Sequence, residues 1–159
     1  MTSNNQGAPV LIALGANIPS QAGTPAKTFH AALKRLEQAG LAPAGLSPFY
    51  ETEAWPDASD PPFLNAVAAF KSRLQPIALL TLLHEVETGF GRKRSVPNAP
   101  RPLDLDLLDY DGQVEEGAVI LPHPRIAQRR FVLEPLGQVA PGWRHPITGR
   151  TVDELLKAL

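Results

Sequence analysis

Asp104 and Asp106 stand two residues apart in PRPLDLDLLDYDG, Pro100 to Gly112, inside an otherwise apolar run. Pro100 and Pro102 disfavour a helix around them, and residues two apart on a helix do not share a face. A strand fits. Its period of two sends Leu103, Leu105 and Leu107 to one face and both carboxylates to the other, about 6.6 Å apart along the chain. Carboxylates so placed repel unless a cation lies with them. The fifteen residues from Arg92 to Asp106 also supply cations, Arg92, Lys93, Arg94 and Arg101. With no cysteine and no convergent histidines, the donor set selects a hard cation. Mg²⁺ takes one or two carboxylates and completes its octahedron with water and phosphate oxygens, and guanidinium groups bind the same phosphates bidentately. The set therefore reads as a Mg²⁺–polyphosphate site, in which two ions about 3.5 to 4 Å apart could share the aspartate pair.

Each feature alone also has a plain structural reading: D-x-D as the solvated face of a sheet, GRKR as a soluble loop. Their combination is what points to a ligand. The usual phosphate-loop signatures are absent, with no G-x-x-x-x-G-K-[ST] and only the start of a G-x-G-x-x-G in GFGRKR, and HEVET is not H-E-x-x-H. A nucleotide kinase here is not of the P-loop kind. Two rivals use the same residue types: a metal-dependent nucleotidyl or glycosyl transferase, and a non-catalytic nucleic-acid-binding module built on the basic loop.

The chain that must position these groups has 159 residues, enough for one domain with a sizeable core and too few for two ordinary ones. A single domain over 1–159 is expected, with residues 1–8 flexible. An apolar share of 43%, a charged share of 19% and a net charge of −1 are those of a soluble globular protein and argue against coating nucleic acid. MTSNNQG lacks a basic n-region and the apolar run after it is too short to span a bilayer, so neither a membrane nor a secretory route is expected and the cytoplasm is the default.

Along the chain, Val10 to Leu14 reads as a buried strand ending at Gly15 and Asn17. A helix follows, with Thr24 as N-cap, Pro25 at its first position, Phe29, Leu33 and Leu36 inward, and Gly40 as a stop. SPFYETEAW and FLNAVAAFKSRL read as two strands of a hairpin with a long connection. QPIALLTLLHEVETGFG starts a helix at Pro76, packs Leu79, Leu80, Leu83 and Val86 inward, and breaks at Gly89 and Gly91. After the aspartate strand come a turn at Asp111 and Gly112, a short AVILP strand, helical patches at Ile126 to Gln128 and Phe131 to Gly137, and a final helix with a Thr151/Glu154 capping box. Hairpin-like pairs interleaved with helices indicate an α+β sandwich, helices packed on a mostly antiparallel sheet.

Five stretches in order, LIALGAN, SPFYET, FLNA, PRPLDLDLL and LPHPRIAQRRFVLEPL, together with E-x-x-x-G-R-x-R at Glu87 to Arg94, resemble the 6-hydroxymethyl-7,8-dihydropterin pyrophosphokinase family of folate biosynthesis. The resemblance runs from the first strand to about Ala140. It implies a monomeric, ferredoxin-like α+β fold, two Mg²⁺ ions, and transfer of the terminal diphosphoryl group of ATP to the hydroxymethyl oxygen of the pterin, leaving AMP. By the same resemblance Asp104 and Asp106 are metal ligands, with Asp104 also beside the pterin. Arg92 and Arg101 stabilise charge on the transferring group, His123 and Arg129 hold ATP phosphates, Glu87 lies near the nucleotide, and Arg94 is a mobile phosphate partner. Asn65 and Thr52 bond the pterin edge, and Phe63 and Phe131 cover its two faces. A buried amide in FLNAVAAF also needs a partner on general grounds. The loops 54–62 and 91–99 are expected to close over ATP and exclude water. Three positions depart from the pattern: Asn98 stands roughly where some members have a tryptophan, Pro124 where some have a tyrosine, and Arg130 where a small residue is common.

Overall fold

The computed structural model describes residues 7–53, 57–93 and 99–159. Its main sheet is built from β1 (Ala8–Ala16), β2 (Ala42–Leu46), β3 (Tyr50–Thr52), β4 (Phe63–Ser72) and β5 (Asp104–Tyr110), in the order β2-β4-β1-β5, with β3 also on β4. Every pairing in it is antiparallel. Helices α1 (Pro25–Gln38) and α2 (Pro76–Gly89) join β1 to β2 and β4 to β5, which is the split β-α-β arrangement of a ferredoxin-like sandwich. The C-terminal part adds a 3-10 turn (Ile126–Gln128), α3 (Arg130–Val139) and α4 (Val152–Lys157). Among the described residues no helix is long and apolar enough to cross a membrane.

The helix ends follow from local chemistry. Thr24 Oγ1 accepts the Lys27 N–H and Pro25 opens α1. Thr151 and Glu154 form both bonds of the capping box that starts α4. Between β5 and β6 (Glu115–Glu116), Asp111 and Gly112 both take positive φ, 52° and 69°, and the Gln113 N–H closes on the Tyr110 carbonyl. The AVILP strand shortens to β7 (Ile120–Leu121), which pairs with β6 outside the main sheet.

Strand alternation divides the core into two layers. Val10, Ile12, Leu14, Leu103, Leu105 and Leu107 pack with Phe29, Leu36, Leu79 and Leu83 beneath α1 and α2. Leu11, Val67 and Leu108 face the other way, against Ile126, Val132, Leu133, Leu136, Val152 and Leu155. A register shift between Leu11 and Ile12 puts an extra residue into β5, so Leu11 pairs with Asp109 and Ile12 with Leu107. That bulge breaks the alternation and turns Asp109 inward, to 7% exposure, near Trp143.

Burial pushes the Asp109 carboxyl above the usual carboxylate range, against a smaller opposing effect of the Gly112 N–H that Oδ2 accepts at 3.2 Å. Its Oδ1 and the Trp143 Nε1 are buried, and neither closes a hydrogen bond of good geometry among the described residues. Because the folded protein holds the proton more tightly than the unfolded chain, this group's contribution to stability is full below about pH 4 and is lost as pH rises through the folded pKa. Asp109→Asn keeps an acceptor for Gly112 and removes the charge. It is expected to raise stability at pH 7 to 8 by about 1 kcal/mol, or roughly 2 to 4 °C in Tm. The gain should shrink to nothing as thermal melts are taken toward pH 4. A difference that stays constant over that range would assign it to packing.

Candidate active site

One face of the sheet gathers the chemistry. Asp104 pairs with Gly15 and Asp106 with Ala13 on β1, and on the other side of β1 Gly15 pairs with Asn65 of β4. Asn65, Gly15 and Asp104 thus form a row across three strands with the smallest residue in the middle. A Cβ on Gly15 would lie 3.6 Å from Asn65 Oδ1 and 4.0 Å from the Asp104 Cβ, filling the floor between them.

The aspartate pair is half-buried, on the face opposite Leu105 and Leu107, as period-two alternation requires. The cation its repulsion calls for is Arg101, whose Nη1 lies 3.2 Å from Asp104 Oδ2, with side-chain exposures of 15% and 23%. Arg101 is held on three further sides. Its Nε donates to the Ala99 carbonyl, its guanidinium lies 5.3 Å over the Phe63 ring, and its main-chain N–H donates to Asn17 Oδ1 at 2.8 Å.

Asn17, 4% exposed, does more than form the turn after β1. Its Nδ2 donates to the Pro61 carbonyl at 3.1 Å and its N–H to the Arg101 carbonyl, so one amide ties the end of β1 to the segments before β4 and β5. The signal was present in LIALGAN, where a side-chain amide follows a strand.

His123 and Arg129 lie within electrostatic reach of the pair. Burial, then the charges of Arg129 and Arg125, push the His123 imidazole below its usual range, with Asp104 opposing. Its Nδ1 accepts the Arg125 N–H at 3.1 Å, so the neutral ring carries its proton on Nε2 and can donate there. Burial is also the largest influence on Arg129, lowering its pKa, while Asp106 and Asp104 act to raise it. The exposed Arg125, a residue outside the expected set, joins this cationic group.

Of the residues expected around the pterin, Thr52 and Asn65 are bonded to each other, Asn65 Nδ2 donating to Thr52 Oγ1 at 2.8 Å. Part of the demand for a partner at the buried amide is therefore met inside the protein. Phe63 is half-buried and Phe131 is 38% exposed at the start of α3, with the Arg129 guanidinium 5.5 Å over its ring. Both rings carry a guanidinium that a flat ligand on that face would displace.

Three expected residues stand apart. Arg92 is half-buried in the turn after α2. Its Nη1 donates to the Lys93 carbonyl and its buried Nε has no hydrogen-bond partner among the described residues. Glu87 is 1% exposed, and its Oε2 accepts the Leu105 N–H at 2.6 Å. Oε2 of the carboxylate expected near the nucleotide is thus taken up by the strand that carries the aspartate pair. Arg94 lies outside the described residues, as do parts of both loops expected to close. Arg130 points its Nη2 at the Leu156 carbonyl, 3.5 Å away on α4. A cavity of about 230 Å³ beside Arg101 is lined by Ile18, Gly91, Lys93 and Pro100 to Pro102.

Among the described residues no cluster of three or more His, Asp or Glu side chains forms a metal cage. Two adjacent carboxylates with an open floor suit a cation that keeps water and phosphate oxygens as its other ligands.

The sequence model of the family described as 7,8-dihydro-6-hydroxymethylpterin-pyrophosphokinase (HPPK) matches residues 11–141. A Porphyromonas gingivalis protein named 2-amino-4-hydroxy-6-hydroxymethyldihydropteridine pyrophosphokinase is 38% identical over 142 residues, 86% of this chain and 93% of its own. A Pseudomonas aeruginosa protein of the same name is 37% identical over 153 residues, 94% of this chain and 90% of its own. Other relatives are longer: the chain spans 61% of a Synechocystis protein of that name and 22% of an Arabidopsis thaliana folate synthesis bifunctional protein. The fold is similar to that of Plasmodium falciparum HPPK-DHPS, solved with pteroate, at a TM-score of 0.72 and 11% identity over 95% of this chain and 42% of that one. A half-open aspartate pair with an arginine on it, in a split β-α-β sheet that the family model spans almost end to end, leads to one assignment: the chain belongs to the 7,8-dihydro-6-hydroxymethylpterin-pyrophosphokinase family.

Proposed function

We propose that the chain transfers a diphosphoryl group from ATP to the hydroxymethyl oxygen of 6-hydroxymethyl-7,8-dihydropterin, giving AMP and the pterin diphosphate for folate biosynthesis. The observation that carries this reading is the aspartate pair on β5 with Arg101 on Asp104, in a chain of this family. Asp104 and Asp106 would hold two Mg²⁺ ions, which when bound neutralise the polyphosphate and acidify the attacking hydroxyl.

The chain's own residues supply donors and position. Arg101 stands where charge develops on the transferring group, already oriented by Asn17 and Ala99. His123 offers a neutral Nε2–H and Arg129 a permanent charge to the remaining phosphate oxygens. Phe63 and Phe131 offer ring faces, and the Thr52–Asn65 pair offers polar groups at the edge of a flat heterocycle. No protein base is assigned. Arginines do not deprotonate, and His123 Nδ1 is engaged by the Arg125 N–H. Phosphoryl-type transfer depends mainly on positioning and electrostatics, which this set provides.

Incubation with ATP, Mg²⁺ and the reduced pterin, followed by separation of the nucleotides, tests the reading. AMP is expected to form one for one with pterin consumed, and only when Mg²⁺ is present. Release of ADP would mean transfer of a single phosphoryl group, and release of pyrophosphate would favour a nucleotidyl transferase. Either result overturns the proposal.

A further inference from the structure

Among the described residues β5 is the edge of the main sheet, with no further strand on its outer side. Two segments that also reach the site close that edge, one between Asp104 and Asp106 and one at Leu108. The Leu105 N–H donates to Glu87 Oε2 at 2.6 Å, and the Leu108 carbonyl accepts the His123 N–H at 2.8 Å. Leu105 is the residue between the two aspartates. Glu87 also acts through its main chain, since its carbonyl accepts the Arg92 N–H at 3.0 Å in the turn that leaves α2. One residue, 1% exposed, is thus bonded both to the strand that carries the carboxylates and to the turn that carries an arginine.

From this geometry, and resting on the site reading above, we infer that Glu87 is a positioning residue for the transfer, fixing the orientation of Asp104 and Asp106 through Leu105 and the spacing of Arg92 from them. A bond from a backbone N–H to a buried carboxyl oxygen, 2.6 Å long here, is short and directional. On an edge strand it replaces the ladder bond that would otherwise set the pleat. Asp104 and Asp106 flank the bonded amide, so a twist at Leu105 re-aims both. A displacement of about 1 Å at reacting groups can cost on the order of 10²-fold in rate.

The test compares Glu87→Ala with Glu87→Gln, which retains an acceptor oxygen for Leu105, on the full chain. Backbone amide exchange by NMR reports the Leu105 bond, and single-turnover kinetics at saturating substrates report the transfer. Glu87→Ala is expected to speed exchange at Leu105 by at least about tenfold while amides in β1 and β4 stay protected. The transfer rate should fall about 10²-fold, with nucleotide KM moving less than about threefold and the Mg²⁺ needed for half the maximal rate increasing. Glu87→Gln should restore Leu105 protection and at least tenfold of the lost rate together. The criterion is that the two readouts move in step. A variant with an exposed Leu105 amide and normal transfer, or a protected one and a 10²-fold slower transfer, overturns the inference, and Glu87→Gln alone decides if the alanine variant does not fold. Absence of AMP production by the unmodified chain would instead overturn the proposed function, leaving the exchange result to stand by itself.

Discussion

Asp106→Ala is expected to lower turnover by roughly 10³-fold or more, the equivalent of the several kcal/mol a bound ion contributes to transition-state charge, while the fold stays intact. Both halves of that expectation come from the same feature. Adjacent carboxylates on one strand face repel, so removing either relieves repulsion. Each removal also loses an attraction: Asp104 has Arg101 at 3.2 Å, and Arg129 feels both carboxylates. The Arg101 pair is part-exposed and worth at most about 1 kcal/mol. Asp104→Ala should therefore be as inactive as Asp106→Ala, and both chains should remain folded. Thermal melts without Mg²⁺, beside turnover measured across a Mg²⁺ titration, separate these effects. Near-normal turnover by either variant at low Mg²⁺ would remove the pair from the metal site and return it to the solvated sheet face.

What could be read from the sequence was local. The D-x-D alternation, the Thr24–Pro25 helix start and the Thr151/Glu154 capping box each rest on residues within four positions of one another, and each stands in the structure as read. What could not be read depended on partners far along the chain. β2, APAGL, has no β-branched or aromatic residue, and it becomes a strand because β4 pairs with it across a bulge at an edge that tolerates Pro43. Asp109 should alternate with Leu107 to the α1–α2 side, and a bulge fixed by β1 sends it under Trp143 instead. Asn17 meets segments 44 and 84 residues away. Glu87 did leave a signal. Leu79, Leu83, Val86 and Glu87 are the buried stripe of α2, with Leu80 only half-buried, so a charged residue occupied a core position of the helix. A carboxylate there requires a buried donor, and the donor is the amide between the two aspartates.

Arg101→Ala is expected to slow the chemical step by roughly 10² to 10³-fold, the range for losing one preorganised donor at developing charge, while ATP and pterin dissociation constants move far less. A group that only docks the nucleotide would show the reverse, since binding that is equal in ground and transition states changes affinity and not turnover at saturation. The structure sharpens the expectation. Arg101 lies on Asp104 and over Phe63, so its guanidinium occupies both a carboxylate of the pair and a ring face. Its removal leaves Asp104 more available to cations, and Mn²⁺ binding to the free protein should tighten even as turnover collapses. Lysine at 101 can restore a charge beside Asp104. It cannot also reproduce the planar fork that donates to Ala99 and lies over Phe63, and should recover only part of the rate. Arg92→Ala carries the same expected loss in the chemical step but no change in Mn²⁺ affinity, because among the described residues its guanidinium bonds within its own turn. Single-turnover kinetics beside equilibrium titrations of Mn²⁺ and of a non-hydrolysable nucleotide decide between the roles. Weakened nucleotide binding with normal turnover at saturation would reduce Arg101 to a docking contact and pass the charge-stabilising role to Arg129, the half-buried guanidinium on which Asp106 and Asp104 already act.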